Sequence, residues 1–309
     1  MTHVSAAVEV EGLTKSFGDV LAVDGLSFRA EPGRVTGFLG PNGAGKTTTL
    51  RVLVGLVRPT AGAARIGGRP FRELADPSGT VGAALDSGGF HPGRSARDHL
   101  RVVTLQSGRT DGDRVDALLT QVGLTEAADR RVGGFSLGMR QRLGLATALA
   151  ADPDVLLLDE PANGLDPEGI AWLRGFLRFI ADAGRTVVVS SHVLAEVAQI
   201  ADDVVIIDRG RLVRAAPLRT LLADQSTRVL VRTPQPEDLL VALAARDLAA
   251  ERSGSPSVDG LVVSGVSAAE VGDVAARAGI AVHWLIEEQP DLEDVFLQLI
   301  ERARGGGEP

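Results

Sequence analysis

Eight residues at positions 40–47 combine glycine, lysine and threonine in a pattern that can hold phosphate groups. The run GPNGAGKT matches GxxxxGK[ST] and stands between a predicted strand and a predicted helix. Glycines let backbone N–H groups point at phosphate oxygens at a helix N-terminus, while Lys46 can reach the β- and γ-phosphates and the Thr47 hydroxyl can coordinate Mg²⁺. The alternative is a plain glycine-rich turn. The residues that we expect to contact a nucleotide here are Gly40, Asn42, Gly43, Ala44, Gly45, Lys46, Thr47 and Thr48.

Two carboxylates end the apolar run VLLLDE at 155–160. In a nucleotide hydrolase, Asp159 would hold Mg²⁺ and Glu160 would polarise the attacking water. Acids that end a strand are often solvated turn residues, so this pattern gains its meaning from the phosphate loop. The two motifs together predict a site that hydrolyses a nucleoside triphosphate.

Alternating strands and helices must position these residues. Short strands are predicted over 7–38, and the apolar runs at 155–159 and 186–190 are typical of strands buried on both faces. A helical pattern from about 95 to 150 forms an insert, and a hairpin closes the first domain near residue 217. The predicted fold class is α/β: a phosphate-loop domain over 1–217, with a mostly parallel sheet, an antiparallel edge and the helical insert.

The remaining residues, 218–309, follow a strand-helix order typical of a small α+β domain. Of the net charge of -8 on the 309 residues, residues 218–309 carry -7, from 8 arginines and 15 acidic residues, and residues 1–217 carry -1. Neither part therefore shows the basic excess of a nucleic-acid binder. It has no cysteine, which excludes disulfides and thiolate metal sites. No run approaches the roughly 18–20 apolar residues of a membrane span and the N-terminus does not resemble a signal peptide, so we expect a cytoplasmic location.

The stretch from Phe135 to Ile170, FSLGMRQRLGLATALAADPDVLLLDEPANGLDPEGI, resembles the core of an ABC-family nucleotide-binding domain. Phe135–Met139 stands in place of the LSGGQ signature, with Ser136 and Gly138 kept and with Leu137 and Met139 replacing a glycine and a glutamine. In the family, the signature caps the γ-phosphate of ATP bound to the partner protomer. A helix cap is the simpler reading of the same five residues.

The resemblance extends to further positions in the family's order. Asp166 belongs to a run that resembles the D-loop, and His192 after VVVSS resembles the switch histidine that contacts the γ-phosphate. Phe17 resembles the aromatic residue that stacks on adenine, and the alternative is ordinary packing in the core. Asp86 falls where the family usually has a glutamine, and we hypothesise that it serves as a Mg²⁺ or water contact. The alternative is an ordinary acid of a surface loop.

The family implies a homodimer that sandwiches two ATP molecules and acts on a separate membrane-spanning permease. Glu160 would be the base, with Lys46 and His192 stabilising charge and with Thr47 and Asp159 at the Mg²⁺ ion. The C-terminal segment resembles that of bacterial drug and antibiotic exporters, which implies export from the inner face of the membrane. The alternatives are an ABC ATPase that acts in translation or DNA repair, and a catalytically silent ATP-binding module.

Overall fold

The computed structural model describes residues 6–85, 89–108, 112–223, 228–252, 260–288 and 292–305. The chain forms two compact units, the first from Met1–Leu218 with Leu299–Pro309 and the second from Arg219–Gln298. The division at residue 217 remains a prediction. The return of the last residues to the first unit was not predicted.

The first unit contains two sheets. Its strands are β1 Val8–Phe17, β2 Val20–Ala30, β3 Val35–Leu39, β4 Ala61–Ile66, β5 Val81–Ala84, β6 Val155–Asp159, β7 Thr186–Ser191, β8 Asp203–Asp208 and β9 Arg211–Pro217. The larger sheet has the order β5-β6-β7-β3-β8-β9, and only the β8–β9 pair is antiparallel. The smaller sheet, β2-β1-β4, is antiparallel.

The strands at the centre of the larger sheet are buried on both faces, which explains why their sequences are continuous apolar runs. One apolar core lies between this sheet, the helical insert and α6, and the other lies against the smaller sheet and α1. The α-helices of this unit include α1 Lys46–Leu53, α2 Pro77–Thr80, α3 Ala96–Gln106, α4 Gly112–Gln121, α5 Leu137–Ala148, α6 Pro167–Asp182 and α7 Leu194–Ala198. The next helix, α8 Leu218–Ala223, belongs to the second unit except for its first residue. The α/β class, the antiparallel edge and the insert are confirmed.

Polar caps fix where the helices around the site begin. The Ser136 hydroxyl accepts a hydrogen bond from the Met139 N–H at 3.2 Å, at the start of α5. Asp166 accepts one from the Gly169 N–H at 2.8 Å, with proline in the first turn of α6. Each cap satisfies an N–H group that has no partner within its helix.

The second unit is a four-stranded antiparallel sheet with helices. Its elements are β10 Arg228–Arg232, α9 Pro236–Ala244, β11 Ala250–Arg252, β12 Leu261–Ser264, α10 Ala268–Arg277 and β13 Trp284–Glu288, and the helix α11 Leu292–Gly305 continues into the first unit. The strand order is β11-β12-β10-β13, and an apolar core lies between the sheet and the helices α9 and α10. This arrangement matches the α+β prediction, and the short β11 is an additional strand.

Candidate functional site

The phosphate loop joins β3 to α1, and two of its glycines touch neighbouring backbone. A Cβ atom added to Gly40 would lie 2.5 Å from the carbonyl oxygen of Ile207, and one added to Gly45 would lie 2.5 Å from that of Ala22. Gly45 also has a φ of +102° at the N-cap of α1. Only glycine fits these two positions without movement of the loop, because both neighbouring atoms belong to the backbone.

Lys46 lies at the start of α1 with 6% of its surface exposed. Its Nζ donates to the Gly40 carbonyl oxygen at 2.7 Å and lies 3.5 Å from Glu160 Oε1. The ammonium group of Lys46 therefore lies beside the phosphate loop, where it could contact bound phosphates. A cavity of about 230 Å³ opens here, and it is lined by Ala22, Asn42, Gly43, Ala44, Gly45, Lys46, Thr47, Thr48 and Glu160.

Two oxygen ligands suited to Mg²⁺ meet beside this cavity. The Thr47 hydroxyl donates to Asp159 Oδ2 at 2.6 Å. A hydroxyl and a carboxylate are ligands that Mg²⁺ accepts, with water and substrate phosphates completing its coordination. Within the described ranges, no group of three or more histidine, aspartate and glutamate side chains could hold a metal ion by itself.

Glu160 and His192 are brought together because β6 and β7 are parallel neighbours. Glu160 Oε2 lies 2.8 Å from His192 Nδ1. Glu160 has a φ of +52°, and its N–H group lies 3.0 Å from the Ser190 hydroxyl and 3.2 Å from the Ser190 carbonyl oxygen. The structure thus places the three predicted catalytic residues, Lys46, Glu160 and His192, in one cluster.

Ser190 is a site residue that sequence reasoning missed. Its hydroxyl donates to the Asp159 carboxylate, and it also contacts the N–H group of Glu160. Asp159 and Ser190 occupy partner positions in the β6–β7 register. The available signal was the second predicted strand, which ends in serines next to the strand that ends in Asp159.

A further carboxylate lies near the cluster on α7. Burial raises the pKa of Glu196, and the charge of Glu160 raises it further. Ionised Glu196 therefore costs the folded state some stability at neutral pH.

Residues 136–139, which stand in place of the signature and are called the signature-like segment below, do not line the phosphate-loop cavity. They line a second cavity, of about 830 Å³. Ser136, Gly138 and Asp166 line it together with Leu137 and Gly164. Leu137 is 46% exposed, and its Cδ2 methyl group covers Gly164 so closely that a Cβ at that position would overlap it. The phosphate loop and the signature-like segment are therefore not brought together within this chain, and Leu137 contacts the loop before α6.

Phe17 lines neither cavity. The residue is 50% exposed at the end of β1, where the β1–β2 hairpin turns, with Lys15 Nζ 4.6 Å from the ring centroid. Stacking of this ring on adenine stays a prediction. Asp86 lies outside the described residues, so its assignment also stays a prediction.

Across the described ranges of the chain, no helix combines the length and the apolar character needed to cross a membrane.

Two family models of known proteins match parts of the chain. The family model described as ABC transporter matches residues 23–163, which include the phosphate loop, Asp159 and Glu160. A second model, described as "Domain of unknown function (DUF8746)", matches residues 227–293.

Two curated relatives and one solved structure illustrate the likeness. "Bacitracin transport ATP-binding protein BcrA" of Bacillus licheniformis is 40% identical over 216 residues, 69% of this chain and 71% of the relative. "Nod factor export ATP-binding protein I" of Paraburkholderia xenovorans (strain LB400) is 35% identical over 308 residues, 96% of this chain and 98% of the relative. A structure described as "Structure of ATP binding subunit of ABC transporter" has a TM-score of 0.64 at 24% identity, covers 70% of this chain and 92% of that one, and shows the fold. The chain therefore belongs to the ABC transporter family, as an ATP-binding subunit whose ATPase activity is coupled to transport.

Proposed function

We propose that this chain, as a homodimer with two ATP molecules at the interface, drives export through a separate membrane-spanning subunit. The observation that carries this proposal is the cluster of Lys46, Glu160 and His192 beside the phosphate loop. Both relatives named above are transport or export proteins, which favours transport over a role in translation or repair. A silent module is disfavoured because the cluster holds a base, a cation and a switch histidine.

Hydrolysis proceeds by in-line attack of water on the γ-phosphorus. The water oxygen forms a bond to phosphorus as the bond to the β–γ bridging oxygen breaks, and the water proton passes to the Glu160 carboxylate. ADP leaves with the bridging oxygen. Lys46 and His192 stabilise the charge on the transferred phosphoryl group.

Mg²⁺ would be held by the Thr47 hydroxyl and the Asp159 carboxylate, which meet beside the loop. The ion, when bound, neutralises charge on the phosphate oxygens. Ser190 orients Asp159 by its hydroxyl group, so that the carboxylate keeps one oxygen for Thr47. Asp86 is proposed as an additional contact on the strength of its sequence position alone.

Two separate cavities of the chain support the proposed homodimer. One contains the phosphate loop and Glu160, and the other contains Ser136 and Gly138 at the N-terminus of α5. A two-fold arrangement pairs the first cavity of one copy with the second cavity of its partner, and the positive end of α5 then faces the γ-phosphate. ATP binding closes the pair and hydrolysis opens it.

Transport needs a partner, because within the described ranges no helix could span a membrane. We place the dimer on the cytoplasmic face of the membrane, bound to a permease subunit. Export is the proposed direction because one relative is named for Nod factor export. The transported molecule is selected by the permease.

The test uses Glu160→Gln, which keeps the size of the side chain and removes the base. With ATP and Mg²⁺, we expect this variant to elute as a dimer in size-exclusion chromatography and to hydrolyse ATP about 10²-fold more slowly than wild type. Glu73→Gln is the matched control, because it makes the same change at an exposed residue away from the site. A Glu160→Gln protein that stays monomeric with ATP and turns over normally contradicts the proposal.

A further inference from the structure

The last turn of α11 returns to the first unit and contacts the end of β8. Arg304 donates two hydrogen bonds to Asp208, from Nε to Oδ2 at 2.8 Å and from Nη2 to Oδ1 at 3.0 Å. The Asp208 side chain is only 6% exposed, while that of Arg304 is 47% exposed. Arg304 thus reaches from the surface to pair with a buried carboxylate in bidentate geometry.

Asp208 stands between two residues that touch the phosphate loop. Ile207 precedes it, with its carbonyl oxygen against Gly40 at the start of the loop. Gly210 follows it by two residues, and its N–H group donates to the Ala44 carbonyl oxygen at 3.0 Å. The end of β8 therefore supports the loop at two points, on either side of the carboxylate that Arg304 holds.

The turn after Asp208 has little freedom to adjust. Arg209 and Gly210 both have left-handed backbone, with φ of +47° and +80°. A Cβ at Gly210 would lie 2.9 Å from Val23 Cα, and the Gly210 carbonyl oxygen accepts from the Asp24 N–H at 2.9 Å. Because the turn is packed against β2 on one side and bonded to the loop on the other, a shift of Asp208 is transmitted to both.

The electrostatics agree with this geometry. The hydrogen bonds from Arg304 lower the pKa of Asp208, and burial opposes them. The pair therefore contributes stability above the pKa that the aspartate has in the unfolded chain, and this contribution is lost as the pH falls through the lowered value.

We infer that Arg304 is a positioning residue for nucleotide binding: by fixing Asp208 at the end of β8, the last turn of α11 holds the phosphate loop in its binding shape. The inference rests on the proposed ATPase function and adds a determinant far along the sequence from the known motifs. Arg304 contacts Asp208 directly, and its effect on the nucleotide passes through Ile207, Gly210 and the loop.

The experiment measures Mg²⁺-ATP binding by calorimetry in the full-length chain. We expect Arg304→Ala to weaken binding about 2- to 30-fold, the range for residues that act through a packed network. The turnover rate at saturating ATP should change less, because Glu160 and His192 are untouched. Arg302→Ala is the matched control, since Arg302 is an exposed arginine on the same helix, and it should bind like wild type.

Three further variants keep the inference falsifiable if Arg304→Ala folds poorly. Arg304→Lys keeps the charge but loses the bidentate pair, and it should recover part of the affinity. Asp208→Asn removes the buried charge, so that adding Arg304→Ala to it should change affinity little. Affinity like that of wild type in Arg304→Ala, with only a lower melting temperature, would show a purely structural role and overturn the inference. A wild-type chain that binds no ATP overturns the proposed function together with this inference.

Discussion

Replacing Gly45 with alanine tests whether the phosphate loop needs glycine for its own packing, before any nucleotide binds. Gly45 is the N-cap of α1, and its φ of +102° is rarely adopted by residues with a side chain. A methyl group there would also lie 2.5 Å from the Ala22 carbonyl oxygen. That oxygen belongs to β2 and cannot rotate away.

The free-energy cost of the left-handed backbone and that of the steric overlap can be separated by comparing Gly45→Ala with Gly43→Ala. Gly43 has a φ of +80°, yet no heavy atom would lie within 4 Å of an added Cβ. The left-handed backbone costs each variant about 1–2 kcal/mol. The overlap adds about 1–3 kcal/mol for Gly45→Ala alone, as in other overpacked sites.

Thermal denaturation without nucleotide provides the assay. Since 1 kcal/mol shifts the melting temperature of a unit of this size by about 2–4 °C, Gly45→Ala should melt about 2–12 °C below Gly43→Ala. Gly108→Ala is a control outside the loop, with a φ of +73° and open space around the added atom. Equal melting temperatures for the Gly45 and Gly43 variants would refute the packing argument and show that the loop adjusts freely.

Three other substitutions test the cluster and its surroundings. Lys46→Ala removes the buried ammonium group beside the loop, so ATP binding measured by calorimetry should weaken about 10- to 100-fold, and unchanged affinity would contradict its role. His192→Ala should bind ATP normally and hydrolyse it about 10²-fold more slowly in a phosphate-release assay, whereas normal turnover would exclude the contact with Glu160 from the chemistry. Glu196→Gln removes a carboxyl whose pKa is raised by burial, so its melting temperature should exceed that of wild type near neutral pH, where wild-type Glu196 is ionised. The difference in melting temperature between the variant and wild type should shrink toward acidic pH, as the Glu196 carboxyl takes up its proton. A difference that stays constant with pH would show that ionisation of Glu196 does not cause it.

The sequence was sufficient for the parts of the site that local patterns determine. VLLLD and TVVVS are buried strands, and their parallel pairing brings Glu160 and His192 to the same edge of the sheet. Ser136 likewise begins a helix, as the helix-cap alternative for this segment predicts. These features depend on short stretches whose periodicity and end residues carry the information.

Features that depend on contacts between distant residues could not be predicted. The role of Ser190 requires the register of two strands, and the bidentate pair of Arg304 with Asp208 requires the last helix to return to the first unit. In sequence Leu137 is only a departure from the signature, and its packing on Gly164 is apparent only in three dimensions. The strand β11 is three residues long, too short for an alternation pattern to emerge.

The position of β3 at the middle of the larger sheet sets an order of events during synthesis. Its neighbours β7 and β8 begin only at Thr186 and Asp203, although the phosphate loop follows β3 directly. At about 5–20 residues per second, a ribosome needs roughly 7–30 s to proceed from the loop to β7. Through that interval the nascent chain carries its phosphate loop without either flanking strand, so the loop can take its binding shape only after β7 and β8 have been synthesised. The apolar β3 segment must meanwhile stay shielded from other chains.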